Sequence, residues 1–257
     1  MINIILHGCK GRMGQAIIQL INQSNNLKLV AGIDSNIASN IDGNAEVSEG
    51  YPAFSRIEDC NISGDVLIDF SHYSAVSGVL KFCVKNNMPA IIATTALGDS
   101  EHADILLASK SIPVFNSFNM SLGINAIASL MRTLVPMLES DFNIEIVEKH
   151  HNKKKDSPSG TALLLADSIN DACKAKKQYI YGRNGNNEEC KISDLGIHSV
   201  RGGTIPGEHT IVFAGPDEVI EITHTALSRN IFANGSLRAA EFMVNQEKGL
   251  YSMKDLF

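Results

Sequence analysis

The chain contains no tryptophan, and aromatic residues make up only 6% of it. Its five cysteines, Cys9, Cys60, Cys83, Cys173 and Cys190, are odd in number and form no CxxC pair. That usage fits thiols in a reducing cytosol. HExxH and paired Cys/His spacings are also missing, so no metal site is expected. No apolar run approaches the length of a membrane span. There is no excess of positive charge: the formal net charge is -6, which argues against nucleic-acid or membrane-surface partners. The first strand pattern starts at residue 2, so no signal or transit segment is expected before the fold, and a cytoplasmic location is.

What is present begins with that strand. Ile2, Ile4, Ile5 and Leu6 run into Gly8, Cys9, Lys10, Gly11, Arg12, Met13 and Gly14, and Gln15 to Ile21 follows at helical spacing. A second strand, Leu27 to Ile33, ends at Asp34, 20 residues beyond Gly14. Strand, glycine turn and helix, with an acid at that distance, form a dinucleotide-binding opening: the glycines let backbone approach the pyrophosphate and the acid meets the adenosine ribose. The spacing is GxxGxxG rather than GxGxxG, and a tight strand-to-helix turn without a ligand is the plainer alternative.

Glu145 to Ala162, EIVEKHHNKKKDSPSGTA, gathers two histidines, four lysines and a helix entrance. Ile144 to Val147 reads as a strand that the polar residues after it cannot extend into a core. Ser157 and Pro158 are placed as N-cap and first helical residue, ahead of Ala162, Leu163, Leu164, Leu165 and Ile169. Ser159, Gly160 and Thr161 then stand at a helix N-terminus, where unpaired amides and the dipole favour a carboxylate or phosphate. Lys153, Lys154 and Lys155 deepen that preference; a solvated basic loop is the alternative.

Strands and helices alternate through the first half: Val66 to Phe70, Ala75 to Val84, Pro89 to Thr94, Glu101 to Ala108 and Ile112 to Phe115. This is the rhythm of a Rossmann-type doubly wound parallel sheet, whose ligands bind beyond the strand ends. Polar tips fall at Ser71 and His72, at Thr94 and Thr95, and from Asn116 to Asn119. After the Gly123 to Leu138 helix come Ile144 to Val147, Ile197 to Arg201, Thr210 to Phe213 and Val219 to Thr223, expected as a second, mixed α/β domain with a largely antiparallel sheet. Ala226 to Gln246 reads as a helix returning to the first domain, and Tyr181 to Ile192 as an exposed loop. The expected division is residues 1–119 with 230–257 as the dinucleotide-binding domain and 120–229 as the domain for substrate and oligomerisation.

These motifs resemble those of the 4-hydroxy-tetrahydrodipicolinate reductase family. Gly8 to Gly14 resembles its cofactor loop, Ile68-Asp69-Phe70-Ser71 the strand end, and Asn119 to Asn125 the hinge segment. Glu148 to Thr161 matches E-x-H-H-x-x-K-x-D-x-P-S-G-T at every fixed position, and Arg201, Gly207-Glu208-His209 and Phe232 to Gly235 agree as well.

The resemblance implies NADH- or NADPH-dependent reduction of a cyclic unsaturated imine dicarboxylate in lysine biosynthesis. It makes His150 the acid/base and Lys154 a second proton donor; Lys154 could equally stabilise charge near the ring nitrogen. His151, Ser159, Gly160 and Thr161 would hold the carboxylates. Ala93, Thr94 and Thr95, then Ser117, Phe118, Asn119 and Met120, join Gly8 to Met13 and Asp34 as cofactor contacts. The family's GTTG turn is Ala93-Thr94-Thr95-Ala96 here, which has less backbone freedom. Ser35 stands where an arginine often meets the 2′-phosphate, so NADH is expected to serve at least as well as NADPH, with Lys10 and Arg12 leaving dual use open. Of the remaining polar residues, Arg201 and His209 are placed near the site and His224 in the core. The family further implies a homotetramer, and the segments at 117–123 and near Arg229 are read as hinges that close His150 onto the nicotinamide. Two other readings are a different nicotinamide enzyme, such as an amino-acid dehydrogenase, against which the tandem histidines count, and a silent dinucleotide sensor, against which the retention of His150 and Lys154 counts.

Overall fold

The computed structural model describes residues 1–37, 46–48, 50–185 and 189–257. The chain forms two compact units, residues 1–122 with 229–257, and residues 123–228.

The first unit contains β1 (Ile2–His7), α1 (Arg12–Asn22), β2 (Leu27–Ile33), β3 (Glu46–Ser48), β4 (Tyr51–Phe54), β5 (Val66–Asp69), α2 (Val76–Lys85), β6 (Ala90–Ile92), α3 (Asp99–Ala108) and β7 (Pro113–Asn116). The chain leaves it along α4 (Leu122–Leu138), runs through β8 (Asn143–His150), α5 (Gly160–Ala172), β9 (Gln178–Ile180), β10 (Asp194–Arg201), β11 (Glu208–Gly215) and β12 (Glu218–Thr225), then returns for α6 (Asn230–Met243) and β13 (Gly249–Tyr251).

The first sheet runs β13-β7-β6-β5-β1-β2-β4-β3, parallel throughout except for β3 on its edge. Its central strands are apolar on both faces, as strands covered by helices on both sides must be. Ile4, Leu6, Val66, Ile68 and Ile91 pack with residues of α1 and α6; Ile5, Leu67, Ala90 and Ile92 pack with those of α2 and α3. In β2 this alternation is broken. Ile4 pairs with Leu29 but Ile5 with Ala31, so one extra residue, Val30, flips the strand: Leu27 and Leu29 face one core, Ala31 and Ile33 the other. Strand order reverses between β1 and β5, which puts the carboxyl ends of these two strands, and the turns after them, at the topological switch point.

In the second unit the order is β12-β11-β8-β10-β9. The sheet is mixed: β12 with β11 and β11 with β8 pair antiparallel, whereas β8 with β10 and β10 with β9 pair parallel over fewer residues. Helix α5 is a crossover that carries the chain from the end of β8 back to the starting end of the sheet, so that β9 runs in the same direction as β8. One face of β8 grades from apolar to polar along its length. Ile144 lies between Leu195 and Phe213, Ile146 between Ile197 and Ile211, Glu148 between Ser199 and His209, and His150 beside Arg201. The apolar part is covered by Ala162, Leu165, Ala166 and Ile169 of α5 and by Ile124, Met131 and Val135 of α4.

β3, β4, β9 and β13 are short strands without a legible pattern. Of the expected loop from Tyr181 to Ile192, residues 186–188 lie outside the described residues and the others carry neither helix nor strand. No helix among the described residues is long and apolar enough to cross a membrane.

Candidate active site

In the second unit the polar end of β8 builds a compact constellation. The strand continues through Glu148, Lys149 and His150, contrary to the expectation that it stops at Val147. It can do so because the buried charge is satisfied. Glu148 is fully buried; its Oε1 accepts from Arg201 Nη2 at 2.7 Å and from the Ser159 amide at 3.1 Å, and its Oε2 accepts from Arg201 Nη1 at 2.8 Å. His150 Nδ1 lies 2.6 Å from the same Oε2. Burial alone would raise the Glu148 carboxyl, but hydrogen bonds from Arg201, Ser199 and His150 outweigh it and hold the group at about 2. An ionised Glu148 only accepts, so Nδ1 carries a proton and Nε2 is the nitrogen left for exchange. Gly207 keeps that edge clear, since a side chain there would begin 3.1 Å from Nε2.

His150 is 8% exposed, and burial pulls its pKa below the ordinary histidine value; Glu148 opposes this while the charges of Lys154 and Arg201 add to it. His209 stands edge-on to it, ring centroids 5.1 Å apart, with Nε2 2.9 Å from Ser159 Oγ. Burial, then the neighbouring His150, lowers His209 to about 4, so it is a neutral wall of the site.

Helix α5 begins two residues later than expected. Ser159, not Ser157, is its N-cap, accepting from the Ala162 amide at 3.1 Å, and the first helical residue is Gly160, not Pro158. The local choice between the two serines is settled by Glu148, which holds the Ser159 amide from across the loop. Space above Gly160 is open, and Thr161 follows in the first turn, so the positive end of the helix dipole is accessible to an anion. Lys154 is half-buried with Nζ 2.9 Å from Asp156, whereas Lys153 and Lys155 are exposed. His151 leaves the strand; its Nδ1 is buried with no hydrogen-bond partner among the described residues, as suits a donor or acceptor awaiting a ligand. Arg201 and His209 thus join His150, while His224 is half-buried on β12 opposite His209, not in the core.

In the first unit two cavities flank the glycine turn. One, of about 510 Å³, is lined by Gly8, Gly11, Asp34, Ser35, Phe70 and Ser71 among others. The second, of about 480 Å³, is lined by Gly11, Arg12, Met13, Phe70, Ser71, Ala93, Thr94, Thr95, Phe118 and Met120, with Arg229 and Phe232. Gly11 caps α1 without a side-chain hydrogen bond, leaving the helix start for backbone contacts to a phosphate. The turn is tight enough to require glycine: Gly8 has φ +84° and a Cβ there would meet the Phe70 carbonyl oxygen at 2.6 Å, while one on Gly14 would meet the Gly8 carbonyl at 2.3 Å.

Asp34 is held by the Lys10 amide on Oδ2 at 2.9 Å and by Asn36 on Oδ1. The Cys9 side chain turns into the core, where burial raises its thiol to about 11; only its backbone belongs to the turn. Ser117 and Asn119 line neither cavity: Ser117 Oγ donates to the Asn119 carbonyl, and the Asn119 side chain accepts from the Ser121 amide, so both shape the turn that places Phe118 and Met120. Below the cavities Asp69, fully buried, accepts from Ser71 Oγ and Thr94 Oγ1 at 2.6 Å each and pairs with His7 Nδ1 at 2.8 Å, tying together the carboxyl ends of β1, β5 and β6. Motif position alone gives Glu148 and Asp69 no role; their sequence signal is an acid at the end of an apolar strand or strand face.

The described residues contain no cluster of three or more His, Cys, Asp or Glu side chains arranged to hold a metal. The uncapped glycine turn, the acid at Asp34 and the paired cavities fit an extended dinucleotide.

Comparison with known proteins agrees over the whole chain. Residues 2–120 match the family described as dihydrodipicolinate reductase, N-terminus, and residues 123–257 match its C-terminus. A 4-hydroxy-tetrahydrodipicolinate reductase from Caldanaerobacter subterraneus is 46% identical over 256 residues, covering 100% of this chain and 98% of the relative. That of Clostridium tetani is 44% identical, over 98% of this chain and 96% of the relative. Among solved structures, a dipicolinate-bound dihydrodipicolinate reductase from Paenisporosarcina superposes with a TM-score of 0.83 at 24% identity, covering 100% of both chains, which speaks for the fold. With both halves matched and full-length relatives well above 40% identity, the chain belongs to the dihydrodipicolinate reductase family of NAD(P)H-dependent oxidoreductases.

Proposed function

We infer that this protein is a 4-hydroxy-tetrahydrodipicolinate reductase of lysine and diaminopimelate biosynthesis. The observation that carries this reading is His150, oriented by a buried carboxylate and set beside Lys154 and the open start of α5, since a dianionic imine needs a proton and two anion contacts. Loss of the 4-hydroxyl as water leaves a conjugated ring, and a nicotinamide dinucleotide held by the first unit would supply a hydride to its conjugated carbon. His150 Nε2 then gives a proton to the neighbouring carbon, and the Lys154 ammonium, which must leave Asp156 to do so, donates or stabilises charge on the ring-nitrogen side. His151, Ser159, Gly160 and Thr161 bind the two carboxylates. The turn from Gly8 to Met13 holds the pyrophosphate on backbone and Asp34 accepts from the ribose; Ala93, Thr94, Thr95, Phe118 and Met120 bound the nicotinamide end, with Ser117 and Asn119 setting that turn.

Asp34 without a following arginine supports NADH as at least the equal of NADPH. A cytoplasmic homotetramer completes the reading, and sedimentation at micromolar protein tests the oligomer. The function is tested by following NADH and NADPH oxidation while a synthase forms the substrate from pyruvate and aspartate semialdehyde in the same cuvette. Oxidation that depends on the synthase is expected with both dinucleotides. A specificity constant about tenfold higher with NADPH, roughly 1.4 kcal/mol, overturns the cofactor assignment. No oxidation with either overturns the function.

A further inference from the structure

Glu148 and His150 are two residues apart on one strand, so their side chains leave the same face, and both are buried. A fully buried carboxylate is costly unless its lone pairs are filled by well-aligned donors. The Arg201 fork, the Ser159 amide, the Ser199 side chain and His150 fill them here. Apolar packing at this position would serve the sheet equally well, as Ile144 and Ile146 do on the same face. The donors are also distributed in a telling way. Arg201 reaches Glu148 from β10 and with Nη2 also donates to the Asp156 carbonyl at 2.7 Å, in the loop that carries Lys154. Ser159 is the cap of the helix that presents Gly160 and Thr161. One carboxylate is therefore bonded, directly or through Arg201, to every segment that the reaction uses in this unit.

We propose that Glu148 is the positioning residue of this reaction: it fixes His150 with its proton on Nδ1 and Nε2 presented for exchange, and with Arg201 it sets the loop and helix start around the substrate. The assignment rests on the reading of His150 as proton donor. The groups facing His150 are Glu148 on its own strand, Arg201 from β10, His209 from β11 and Lys154 from the loop. Of these, only Glu148 bonds to the imidazole among the hydrogen bonds described.

Glu148→Gln tests it in the full-length enzyme with the synthase-coupled assay. The amide keeps the volume but has a single acceptor oxygen and no charge. Expected are a fall in kcat of about 10–100-fold, as when a carboxylate partner of a functional histidine is removed, a KM for the dinucleotide within about twofold of wild type, and an alkaline limb of kcat moved to lower pH because the imidazolium has lost its counter-charge. A purely structural role would not move that limb. Wild-type kcat together with a wild-type pH profile overturns the proposal.

Should the variant not fold, the wild-type protein carries the test. Nitrogen-15 shifts of labelled histidines, with His150 assigned by its loss in His150→Asn, report the tautomer above its pKa. A proton on Nδ1 supports the proposal; a proton on Nε2 overturns it. This measurement needs no turnover, so its outcome is separate from that of the functional reading.

Discussion

Asparagine in place of His150 is expected to lower kcat by about 10²–10⁴-fold, the usual worth of a positioned general acid, while fluorescence of bound NADH reports unchanged affinity. The pH profile follows from the same residue. On the role proposed for His150 its acid form is required, so activity is expected to fall as pH rises through its pKa, and burial places that limb of kcat/KM below the ordinary histidine value of about 6.5 in the free enzyme. A bound dicarboxylate stabilises the imidazolium, so the limb of kcat lies at higher pH than that of kcat/KM; coincident limbs would count against His150 as the donor. His150 and Lys154 were singled out by the family motif they match, since a histidine and a lysine in a polar run are by themselves equally at home in a solvated loop. The role of Glu148 was not legible, because a glutamate in such a run ordinarily reads as solvated. Its burial depends on Arg201, 53 residues away.

At the scale of elements, one turn carries backbone strain and another a close approach, and substitution can measure both. Ala96 sits in the left-handed region at φ +59°, which costs an L-residue with a side chain about 1–2 kcal/mol. Ala96→Gly is therefore expected to raise stability by about 1 kcal/mol in urea melts without dinucleotide, the extra freedom of glycine in the unfolded chain taking back part of the gain. Gly14→Ala acts in the opposite direction. Its methyl would stand 2.3 Å from the Gly8 carbonyl oxygen, and a loss on the order of 3 kcal/mol with weakened NADH binding is expected; an unchanged melt would show that the turn is not the tight cradle described.

The long elements were legible because their apolar periods are strong: β2 runs from Leu27 to Ile33 as its pattern indicates. The start of α5 was not, since Ser157-Pro158 and Ser159-Gly160 are both acceptable helix openings locally. The bond from the Ser159 amide to Glu148 decides between them. Nor could a pattern of alternate residues reveal the bulge at Val30, which exists only relative to β1.

For the whole molecule, acid should be destabilising in two stages. The His209 pKa is lowered to about 4 in the folded state, so the unfolded chain binds its proton first, and stability present above pH 6.5 declines as pH falls toward 4. Glu148, lowered to about 2, contributes stability that is full above its ordinary value of 4.5 and is lost as pH falls from there toward 2. Calorimetry from pH 7 to pH 3 should show a monotonic fall in Tm, and a Tm constant between pH 7 and 4 would overturn the burial assigned to His209.

At this scale the division of labour is clear. Local chemistry sufficed for the alternating strands and helices, the glycine turn with Asp34, and the His150 to Thr161 motif, because periodicity, conformational freedom and reactive side chains are properties of short segments. Three-dimensional structure alone decided the strand order of the second sheet, the donor shell around Glu148 and the Asp69 junction at the ends of β1, β5 and β6. Each joins residues distant in the chain, and the cost of burying a charge or an unpaired strand edge is settled only when those partners meet.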